Sequence, residues 1–304
     1  MNATTDTPIA PKPSGGARAG RVARGWIDRS GAVRGVVKSD FVQDQIMTAR
    51  ALTVVRERAR FLGGQIAGRG TSRYELRRVP GTFHLRHGSG DVAILNKIFA
   101  RDPVLSSYEP PAAVAAGLDA TAAPRILDVG ANIGLFGVYA LGRWPGARIT
   151  SFEPDPDNFR VLDLTVAANR REGNWDDVPA AVSDQVGELS FAPGHGAKAH
   201  LSPTAADERT IVVPAVDFFD YQGDGVDLVK MDIEGGEWAI LADPRLVTAA
   251  VKVIRLEWHT LLCPEPDARA AAIELLQAGG FPHVVDGDRQ HARNGVLWAW
   301  RDSL

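Results

Sequence analysis

The chain has 304 residues and a net charge of −3, with 45% hydrophobic and 23% charged residues, which is ordinary for a soluble globular protein. Its single cysteine, Cys263, excludes an internal disulfide framework and a cysteine-only metal cluster, and it fits the cytoplasmic location that we expect. No apolar run approaches the ~18–20 residues of a membrane span, and the N-terminal arginines precede no apolar segment. We therefore expect neither a membrane anchor nor a secretory signal.

Positive charge is concentrated near the start of the chain. Residues 1–90 contain sixteen Lys/Arg and six Asp/Glu, so the remaining residues carry a charge of −13. A solvated basic face, a nucleic acid, an acidic substrate or the chain's own acidic part would each fit this excess. Aromatic residues for base stacking are scarce there, so we expect no nucleic-acid partner.

The first 110 residues are predicted to form an appendage in two parts. Residues 1–25 are rich in Pro, Gly, Ala and Thr without periodicity and predict a disordered tail. Residues 26–110 predict a basic helical extension, with one helix from Ser39 to Leu62 that Gly63-Gly64 would end. This helix would either cover the main domain or act as a lid over the substrate.

The stretch from Arg125 to Gly134 predicts a buried strand that turns tightly into a helix. Its apolar run contains Asp128 near the end and breaks into a glycine-rich turn, after which apolar residues resume at helical spacing. A dinucleotide site has the spacing G-x-G-x-x-G, whereas the spacing here is D-x-G-x-x-x-G. A carboxylate at the strand end repels a pyrophosphate and suits a cationic group, such as the amino or sulfonium end of S-adenosylmethionine. The turn therefore favours a methyl donor over a nicotinamide cofactor.

Strand and helix patterns alternate through the rest of the chain and predict a mainly parallel sheet covered on both faces. Strands are predicted at 147–153, 178–182, 226–231, 251–258, 282–285 and 295–300, helices at 157–170, 235–241 and 267–277, and a hairpin-like pair of strands between 187 and 214. Ligands of such sheets bind beyond the carboxyl ends of the strands, so polar residues at strand ends are candidate site residues.

The second and third strands end in residues suited to a nucleoside. Glu153 comes twenty-five residues after Asp128, where an acid can accept both ribose hydroxyls. Ser183 and Asp184 follow the third strand and would meet the adenine amino group, although an ordinary turn uses the same residue types.

The fourth and fifth strands end in charged residues. Lys230, Asp232 and Glu234 share one side by the period of a strand, which predicts a polar pocket or else a structural salt-bridge cluster. Glu257 and His259 share a side of the fifth strand, and the pKa of a histidine suits proton abstraction near neutral pH.

These strand ends supply the candidate catalytic residues. We expect His259 to be the base, Glu257 to orient it, and Glu234 to be the second candidate for the base. The same residues, together with Asp232, offer a set of ligands for Mg²⁺ against a substrate diol. We do not favour this metal-assisted variant and assign no metal ligands.

The motifs in this order closely resemble those of the FkbM family of S-adenosylmethionine-dependent methyltransferases, from about residue 83 to 300. The matching pieces are SGD at 89–91, ILDVGANIG at 126–134, FEPDPDNF at 152–159, PAAVSDQVGELSF at 179–191, KMDIEGGEW at 230–238 and LEWH at 256–259. The first 80 residues lie outside this region, so the resemblance implies no role for the basic helix.

The resemblance implies an α/β fold of the class I methyltransferase (Rossmann-like) type over residues 111–304. Its doubly wound, mainly parallel sheet would have seven strands, with the last strand antiparallel and inserted beside the sixth. The implied reaction is O-methylation of a hydroxyl on a sugar, polyketide or other specialised metabolite, with S-adenosylmethionine as the cofactor. The cofactor-binding residues carried over by position are Asp128, Gly130, Asn132 and Gly134 for the methionine part, Glu153 for the ribose, Ser183 and Asp184 for the adenine, and Asp232 beside the reacting centre.

Two other classes of function remain open. A nicotinamide-dependent oxidoreductase is disfavoured by Asp128 and by the missing G-x-G-x-x-G. A non-catalytic nucleoside-binding or nucleic-acid-binding protein would use the basic N-terminal segment, and its binding would fall steeply with salt. We expect a small-molecule acceptor as the partner; the sequence indicates neither the identity of this acceptor nor the oligomeric state.

Overall fold

The computed structural model describes residues 40–99, 108–171, 173–194, 200–201, 210–287 and 291–303. By compactness the chain divides into Met1–Ile46 and Met47–Leu304. Of the first unit, the structure describes residues 40–46, which belong to the beginning of a helix. The predicted disordered tail, 1–25, lies outside the described residues. The sheet and the candidate site lie in the second unit.

The helices are α1 (Asp40–Val54), α2 (Arg58–Ala67), α3 (Asp91–Phe99), α4 (Ala112–Ala120), α5 (Leu135–Arg143), α6 (Pro156–Asn169), α7 (Glu237–Ala242) and α8 (Ala268–Ala278). The strands are β1 (Thr71–Glu75), β2 (Thr82–Arg86), β3 (Arg125–Val129), β4 (Arg148–Phe152), β5 (Trp175–Val178), β6 (Ala181–Ser183), β7 (Gly187–Ala192), β8 (His200–Leu201), β9 (Ile211–Asp217), β10 (Val226–Met231), β11 (Val251–His259), β12 (His283–Asp286) and β13 (Asn294–Trp300). Helices and strands alternate along the chain from β3 to β5 and again from β10 to β12.

The main sheet has seven strands in the order β12-β13-β11-β10-β3-β4-β5. Strand β13 runs antiparallel to both of its neighbours, and the remaining pairings are parallel. This arrangement confirms the expected sheet, including the last strand inserted beside the sixth. The alternating fold predicted from the chain's strand and helix patterns is therefore correct.

Both faces of the main sheet are buried, because neighbouring residues of each strand point to opposite sides. Ile126 of β3 belongs to the hydrophobic cluster that includes residues of α4, α5 and α6. Leu127, the next residue, belongs to a second cluster with residues of α7 and α8. The sheet is thus doubly wound, and the carboxyl ends of β3, β4, β10 and β11 open at one edge.

A second sheet interrupts the alternation after β5. It has four strands in the order β6-β9-β7-β8, and β7 and β9 are the hairpin-like pair that the sequence predicted. The strand predicted at 178–182 is wrong, because β5 ends at Val178 and β6 begins at Ala181 in this other sheet. The turn between them ties the Ala180 amide to the Val178 carbonyl at 2.9 Å.

The helix predicted from Ser39 to Leu62 is two helices. Helix α1 ends at Val54 because Val55 leaves the helix and forms an antiparallel bridge with Leu76, where both side chains are buried. The Arg77 amide also donates to the Val54 carbonyl at 2.9 Å. The bridge fastens this helix to the β1–β2 hairpin.

Gly63 and Gly64 lie inside α2, so the predicted helix end at these residues is wrong. Gly64 faces the ring of His87, and a Cβ on Gly64 would overlap that ring. The helix ends instead at Gly68, whose left-handed backbone (φ 63°) is the usual C-terminal cap. Gly64 thus allows the helix to pack closely against the His87 ring and does not end the helix.

Residues 47–99 contact the main domain directly. The Thr82 amide donates to Oδ1 of Asn169 at 3.0 Å, and the His84 amide donates to Oγ1 of Thr165 at 3.1 Å, both on α6. The predicted domain boundary at residues 110 and 111 stays a prediction.

Candidate active site

A cavity of about 320 Å³ opens at the carboxyl edge of the main sheet. This volume lies at the lower end of the range for small-molecule sites. Most of the residues that line it come from α3, from the turn after β3, from the ends of β4, β10 and β11, and from β6, and others come from α5, α6, β7 and β13. The cavity is therefore where ligands bind in open α/β sheets.

The turn after β3 brings bare backbone to the cavity. Gly130 and Asn132 both have left-handed backbones (φ 80° and 53°), and both line the cavity. A Cβ on Gly130 would overlap the backbone oxygen of Asp232 at the end of β10, so only glycine fits there. These are two of the predicted cofactor residues, and they lie in the same cavity.

Gly134 has a different surrounding from the other residues of this turn. It precedes α5 in a left-handed conformation (φ 83°) and is not among the residues that line the cavity. A Cβ there would come within 2.9 Å of Leu162 Cδ1 on α6. Gly134 therefore permits close packing of the turn against α6.

Asp128 lies behind the cavity rather than in its wall. Its side chain is fully buried, and Oδ1 lies 3.3 Å from Nζ of Lys230. Lys230 lines the cavity and also donates to the backbone oxygens of Val129 and Gly130. The cation that Asp128 pairs with belongs to the protein itself, which corrects the expectation that this carboxylate selects a cationic ligand. Its role is to hold Lys230 against the glycine turn.

Glu153, the predicted ribose residue, lines the cavity and is 4% exposed. Its Oε2 accepts the Asn132 amide at 2.7 Å, and its Oε1 accepts the Asp155 amide at 2.9 Å and Nδ2 of Asn158 at 3.4 Å. Burial raises the pKa of Glu153 to about 7 against these hydrogen bonds, which favour the charged form. With one bond from the chain, Oε2 keeps the larger capacity for a ligand hydroxyl.

A chain of hydrogen bonds links Glu153, through Asn158, to Arg86 and Asp91. Asn158, which donates to Glu153, accepts at Oδ1 from the guanidinium of Arg86 at 2.7 Å. The same guanidinium makes two hydrogen bonds to the carboxylate of Asp91, at 3.0 and 2.8 Å. The SGD segment therefore anchors helix α3 to Arg86, and Asp91 faces Arg86 rather than the cavity.

The wall beyond Glu153 is apolar. Ala180, Ala181, Val182 and Phe191 line it. Ser183 and Asp184, predicted beside the adenine, follow these residues and do not line the cavity, and Oγ of Ser183 donates to Oδ1 of Asp184 at 2.9 Å. The strand on which the prediction relied is split between two sheets, and the residues that reach the cavity are the ones just before Ser183.

Asp232 is the carboxylate that follows β10, and it lines the cavity among three cations. Its Oδ2 lies 3.9 Å from Nζ of Lys97, and its Oδ1 lies 3.8 Å from Nε2 of His259. Burial alone would raise the pKa of Asp232, but Lys97, Lys230 and His259 together hold it below its usual range. Asp232 is therefore charged at neutral pH.

Glu234 reaches the cavity wall from a strained backbone position (φ 50°). Its Oε2 lies 3.4 Å from Nε2 of His259. Burial and the neighbouring carboxylates raise the pKa of Glu234 to about 7, while His259 opposes the shift. A carboxylate that titrates near neutral pH suits a general base.

His259 lies behind Glu234 and is held by Glu237. Oε1 of Glu237 accepts the His259 backbone amide at 2.8 Å and lies 3.1 Å from Nδ1 of the ring. Burial alone would lower the pKa of His259, but Glu237, Asp232 and Glu234 raise it to about 9. The imidazole therefore carries a proton at neutral pH in the free protein.

Glu257 does not orient His259, so this prediction is wrong. Its Oε2 lies 2.6 Å from Nζ of Lys97, and its Oε1 accepts from Nδ2 of Asn294 at 3.2 Å. The alternation that places Glu257 and His259 on one side of β11 is correct. Their side chains nevertheless bind residues of two helices: Glu257 binds Lys97 of α3, and His259 binds Glu237 of α7. Glu257 does line the cavity.

Two residues of the site, Glu237 and Lys97, had no predicted role. Glu237 is the last acid of the KMDIEGGEW motif, where its position at the start of a helix gave a signal. Lys97 lies in the last turn of α3 and gave none, because only the tertiary structure brings α3 to the ends of β10 and β11. Burial would lower the pKa of Lys97, but the neighbouring Tyr108, Glu257 and Asp232 raise it.

A metal ion has a possible ligand set here. Asp232, Glu257 and His259 each offer one ligand atom, and these atoms lie within 4.8 Å of one another. The ammonium of Lys97 lies beside two of the three residues.

The described helices include none that is long and apolar enough to cross a membrane.

The order of the seven strands and the cavity at their carboxyl ends define a class I methyltransferase fold. The family model described as "Methyltransferase FkbM domain" matches residues 128–281, about half of the chain. The chain belongs to the FkbM methyltransferase family, as the sequence motifs indicated.

Relatives of known name share part of this chain. Methyltransferase sdnD of Sordaria araneosa is 29% identical over 153 residues, which is 39% of this chain and 59% of that protein. The 31-O-demethyl-FK506 methyltransferase FkbM of Streptomyces tacrolimicus is 34% identical over 89 residues, 29% of this chain and 34% of that protein. The chain thus spans less than two thirds of either relative. A solved methyltransferase FkbM from Methylobacillus flagellatus KT has a TM-score of 0.43 at 17% identity, covering 69% of this chain and 54% of its own.

Proposed function

We propose that this protein is an S-adenosylmethionine-dependent O-methyltransferase that acts on a hydroxyl of a small specialised metabolite, sugar or polyketide. One observation carries the proposal. A single cavity joins the bare backbone of Gly130, a buried acid at Glu153 and the acidic pair Asp232 and Glu234. When bound, S-adenosylmethionine supplies a methyl group on a positively charged sulfur, which leaves as a neutral thioether.

The residues of the cavity fit the parts of this donor. Glu153 has capacity at Oε2 for a ribose hydroxyl, and the apolar wall that includes Val182 and Phe191 suits an adenine ring. Gly130 and Asn132 would approach the methionine part with backbone atoms, and Lys230 would be held beside it by Asp128. Ser183 and Asp184, which do not line the cavity, would not contact the adenine.

Glu234 is the better candidate for the base, in place of His259. Glu234 lines the cavity and has a pKa of about 7, whereas His259 lies behind it with a pKa of about 9. In the reaction, Glu234 takes the proton of the acceptor hydroxyl. The protonated His259, fixed by Glu237, holds the Glu234 carboxylate in position. Alignment of the acceptor oxygen with the methyl group supplies much of the rate.

The acceptor is expected to be neutral. Four acids line the cavity, Glu153, Asp232, Glu234 and Glu257, against two cations, Lys97 and Lys230, so the site has no surplus positive charge to bind an anionic acceptor. The name of the Streptomyces tacrolimicus relative describes a methyl transfer to an oxygen, which supports a hydroxyl acceptor for this chain.

Calorimetric titration of the purified protein tests the donor. We expect S-adenosylmethionine and its demethylated product to bind at micromolar concentration, and NADH or NADPH not to bind. A screen of hydroxyl-bearing metabolites with methyl-labelled donor then tests the acceptor class. Binding of a nicotinamide cofactor in place of the methyl donor would favour an oxidoreductase instead.

A further inference from the structure

Helix α3 carries a fixed positive charge to the acceptor side of the cavity. Lys97 lies in the last turn of α3, and its Nζ lies 2.6 Å from Oε2 of Glu257 and 3.9 Å from Oδ2 of Asp232. The beginning of the same helix is fixed by the two hydrogen bonds between Asp91 and Arg86. Because the first turn of α3 is fixed to Arg86, the position of Lys97 in the last turn is fixed as well.

We propose that the Lys97 ammonium is the built-in cation of the acceptor site, where it occupies the position that a divalent metal ion would need and donates a hydrogen bond to the acceptor oxygen. The second half of this inference rests on the proposed methyl transfer. Its first half, the exclusion of a metal ion by Lys97, stands on the geometry alone.

The carboxylates around Lys97 form the set that would otherwise attract a metal ion. Ligand atoms of Asp232, Glu257 and His259 lie within 4.8 Å of one another, and the carboxylate oxygens suit Mg²⁺ or Mn²⁺, which would displace the proton of the imidazole on binding. A divalent ion bound to both carboxylates would lie within a few ångströms of the ammonium. Repulsion between the two cations at this distance is strong in a partly buried site. The ammonium and the metal ion therefore exclude each other.

Lys97 also has hydrogen-bonding capacity directed at the cavity. An ammonium has three N–H donors, and the hydrogen bond of this group within the described residues goes to Glu257. The distance of 3.9 Å to Asp232 is too long for a second hydrogen bond. Lys97 lines the cavity, so its remaining donors are available to an oxygen atom bound there.

An ammonium beside the acceptor hydroxyl has a direct chemical effect. As the hydroxyl loses its proton to Glu234, negative charge develops on its oxygen, and a nearby fixed cation stabilises that charge. Lys97 would thus stabilise the negative charge on the acceptor oxygen, which is the role of the metal ion in metal-dependent enzymes.

Metal binding tests the first half without any acceptor. We would titrate Mn²⁺ into the wild-type protein and into Lys97→Ala at pH 7 by calorimetry, with circular dichroism to verify folding. We expect no binding to the wild type and one site in the variant, and that site should be lost in Lys97→Ala/Asp232→Asn. Lys252→Ala is the matched control, because Lys252 is also paired with an acid (Asp227, 3.0 Å) but lies at the amino end of β11. Binding to the wild type, or no gain of binding in a folded Lys97 variant, would overturn the proposal; Lys97→Gln replaces the alanine variant if that does not fold.

Turnover with an active acceptor tests the second half. We expect kcat for Lys97→Met to fall about 100-fold, the usual effect of losing one charged donor in the transition state, while the donor Kd changes less than about 2-fold. Lys97→Arg should recover part of the loss, and neither EDTA nor Mg²⁺ should alter the wild-type rate. A fall in donor affinity equal to the fall in kcat would assign Lys97 a structural role only. A wild-type protein that binds no methyl donor would refute the proposed function but leave the result of the Mn²⁺ titration valid.

Discussion

Glu237 is hydrogen-bonded twice to one residue, His259. Its Oε1 accepts the His259 backbone amide at 2.8 Å and lies 3.1 Å from Nδ1 of the imidazole ring. The carboxylate is fully buried, and its other oxygen accepts the Gly235 amide at 2.8 Å. This contact fixes both the position and the protonation of the imidazole. The opposite ring nitrogen is thereby turned toward Glu234.

The rate of methyl transfer should depend on the charge of Glu234. Because the base must be deprotonated, kcat/KM should rise with pH through about 7, the pKa of Glu234 in the free protein. Glu234→Gln should abolish this rise and lower the rate by about 100-fold or more. The pH profile of kcat/KM, recorded from about two pH units below this pKa to about two above it, measures both effects.

His259→Gln distinguishes the two candidate bases in the same experiment. The protonated His259 lowers the pKa of Glu234, so its loss should move the rise in kcat/KM to higher pH without removing it. If His259 were itself the base, the rise in the wild type would lie near pH 9 and would vanish in this variant. Donor affinity should change little, because His259 does not line the cavity.

Glu153→Gln should weaken donor binding and remove the loss of stability that the wild type undergoes as the pH rises toward neutral. The pKa of Glu153 is raised from 4.5 to about 7 by burial, so its contribution to stability is present below pH 4.5 and is lost as the pH rises through 7. The glutamine cannot ionise and avoids this loss. Between pH 4.5 and about 8 the free energy of unfolding of the variant should gain up to about 3 kcal/mol over the wild type. Chemical denaturation at several pH values measures this gain, and an unchanged difference between the two proteins would contradict it.

Gly130→Ala should destabilise the fold and abolish donor binding. The added Cβ would overlap the Asp232 backbone oxygen, and the left-handed backbone (φ 80°) disfavours alanine, so we expect a loss of about 2 kcal/mol or more. Gly142→Ala on α5 is the matched control. The nearest atom to its added Cβ is 3.5 Å away, and alanine in a helix should be neutral or stabilise by up to about 1 kcal/mol. Thermal unfolding compares the two variants, and an equal effect would show that the turn tolerates a side chain.

Asp91→Asn should cost about 3 kcal/mol or more of stability, because its buried carboxylate binds the Arg86 guanidinium through both oxygens. Removal of one charge leaves the other buried and poorly paired. Asp157→Asn breaks an exposed ion pair with Arg160 and should cost about 0.5 kcal/mol or less. Comparable losses in the free energies of unfolding of the two variants would contradict the importance of the buried pair.

Local patterns in the sequence predicted the sheet and much of the cavity. The apolar run before Gly130 and the acid at Glu153 each lie at a strand end, and the carboxyl ends of parallel strands meet at one edge. For this reason strand-end positions alone could place the glycine turn, the ribose acid and the acidic pair at Asp232 and Glu234 together.

Other parts depend on tertiary contacts that no local pattern contains. The partner of Glu257 is Lys97, 160 residues away, and the partner of Asp128 is Lys230, 102 residues away in the chain numbering. Alternation places a side chain on a side of a strand but does not choose among its neighbours. The break of the first helix at Val55 likewise comes from pairing with Leu76, beyond the next helix.

The inserted strand β13 limits how this protein can be shortened. A fragment that ended at residue 281, where the family match ends, would lack β12 and β13. It would leave β11, whose nine residues are buried except Lys252, as a long exposed edge with unpaired backbone groups. Such an edge is a template for pairing with other chains, so the fragment should aggregate rather than fold. The span of a family match is thus not a guide to the smallest soluble unit.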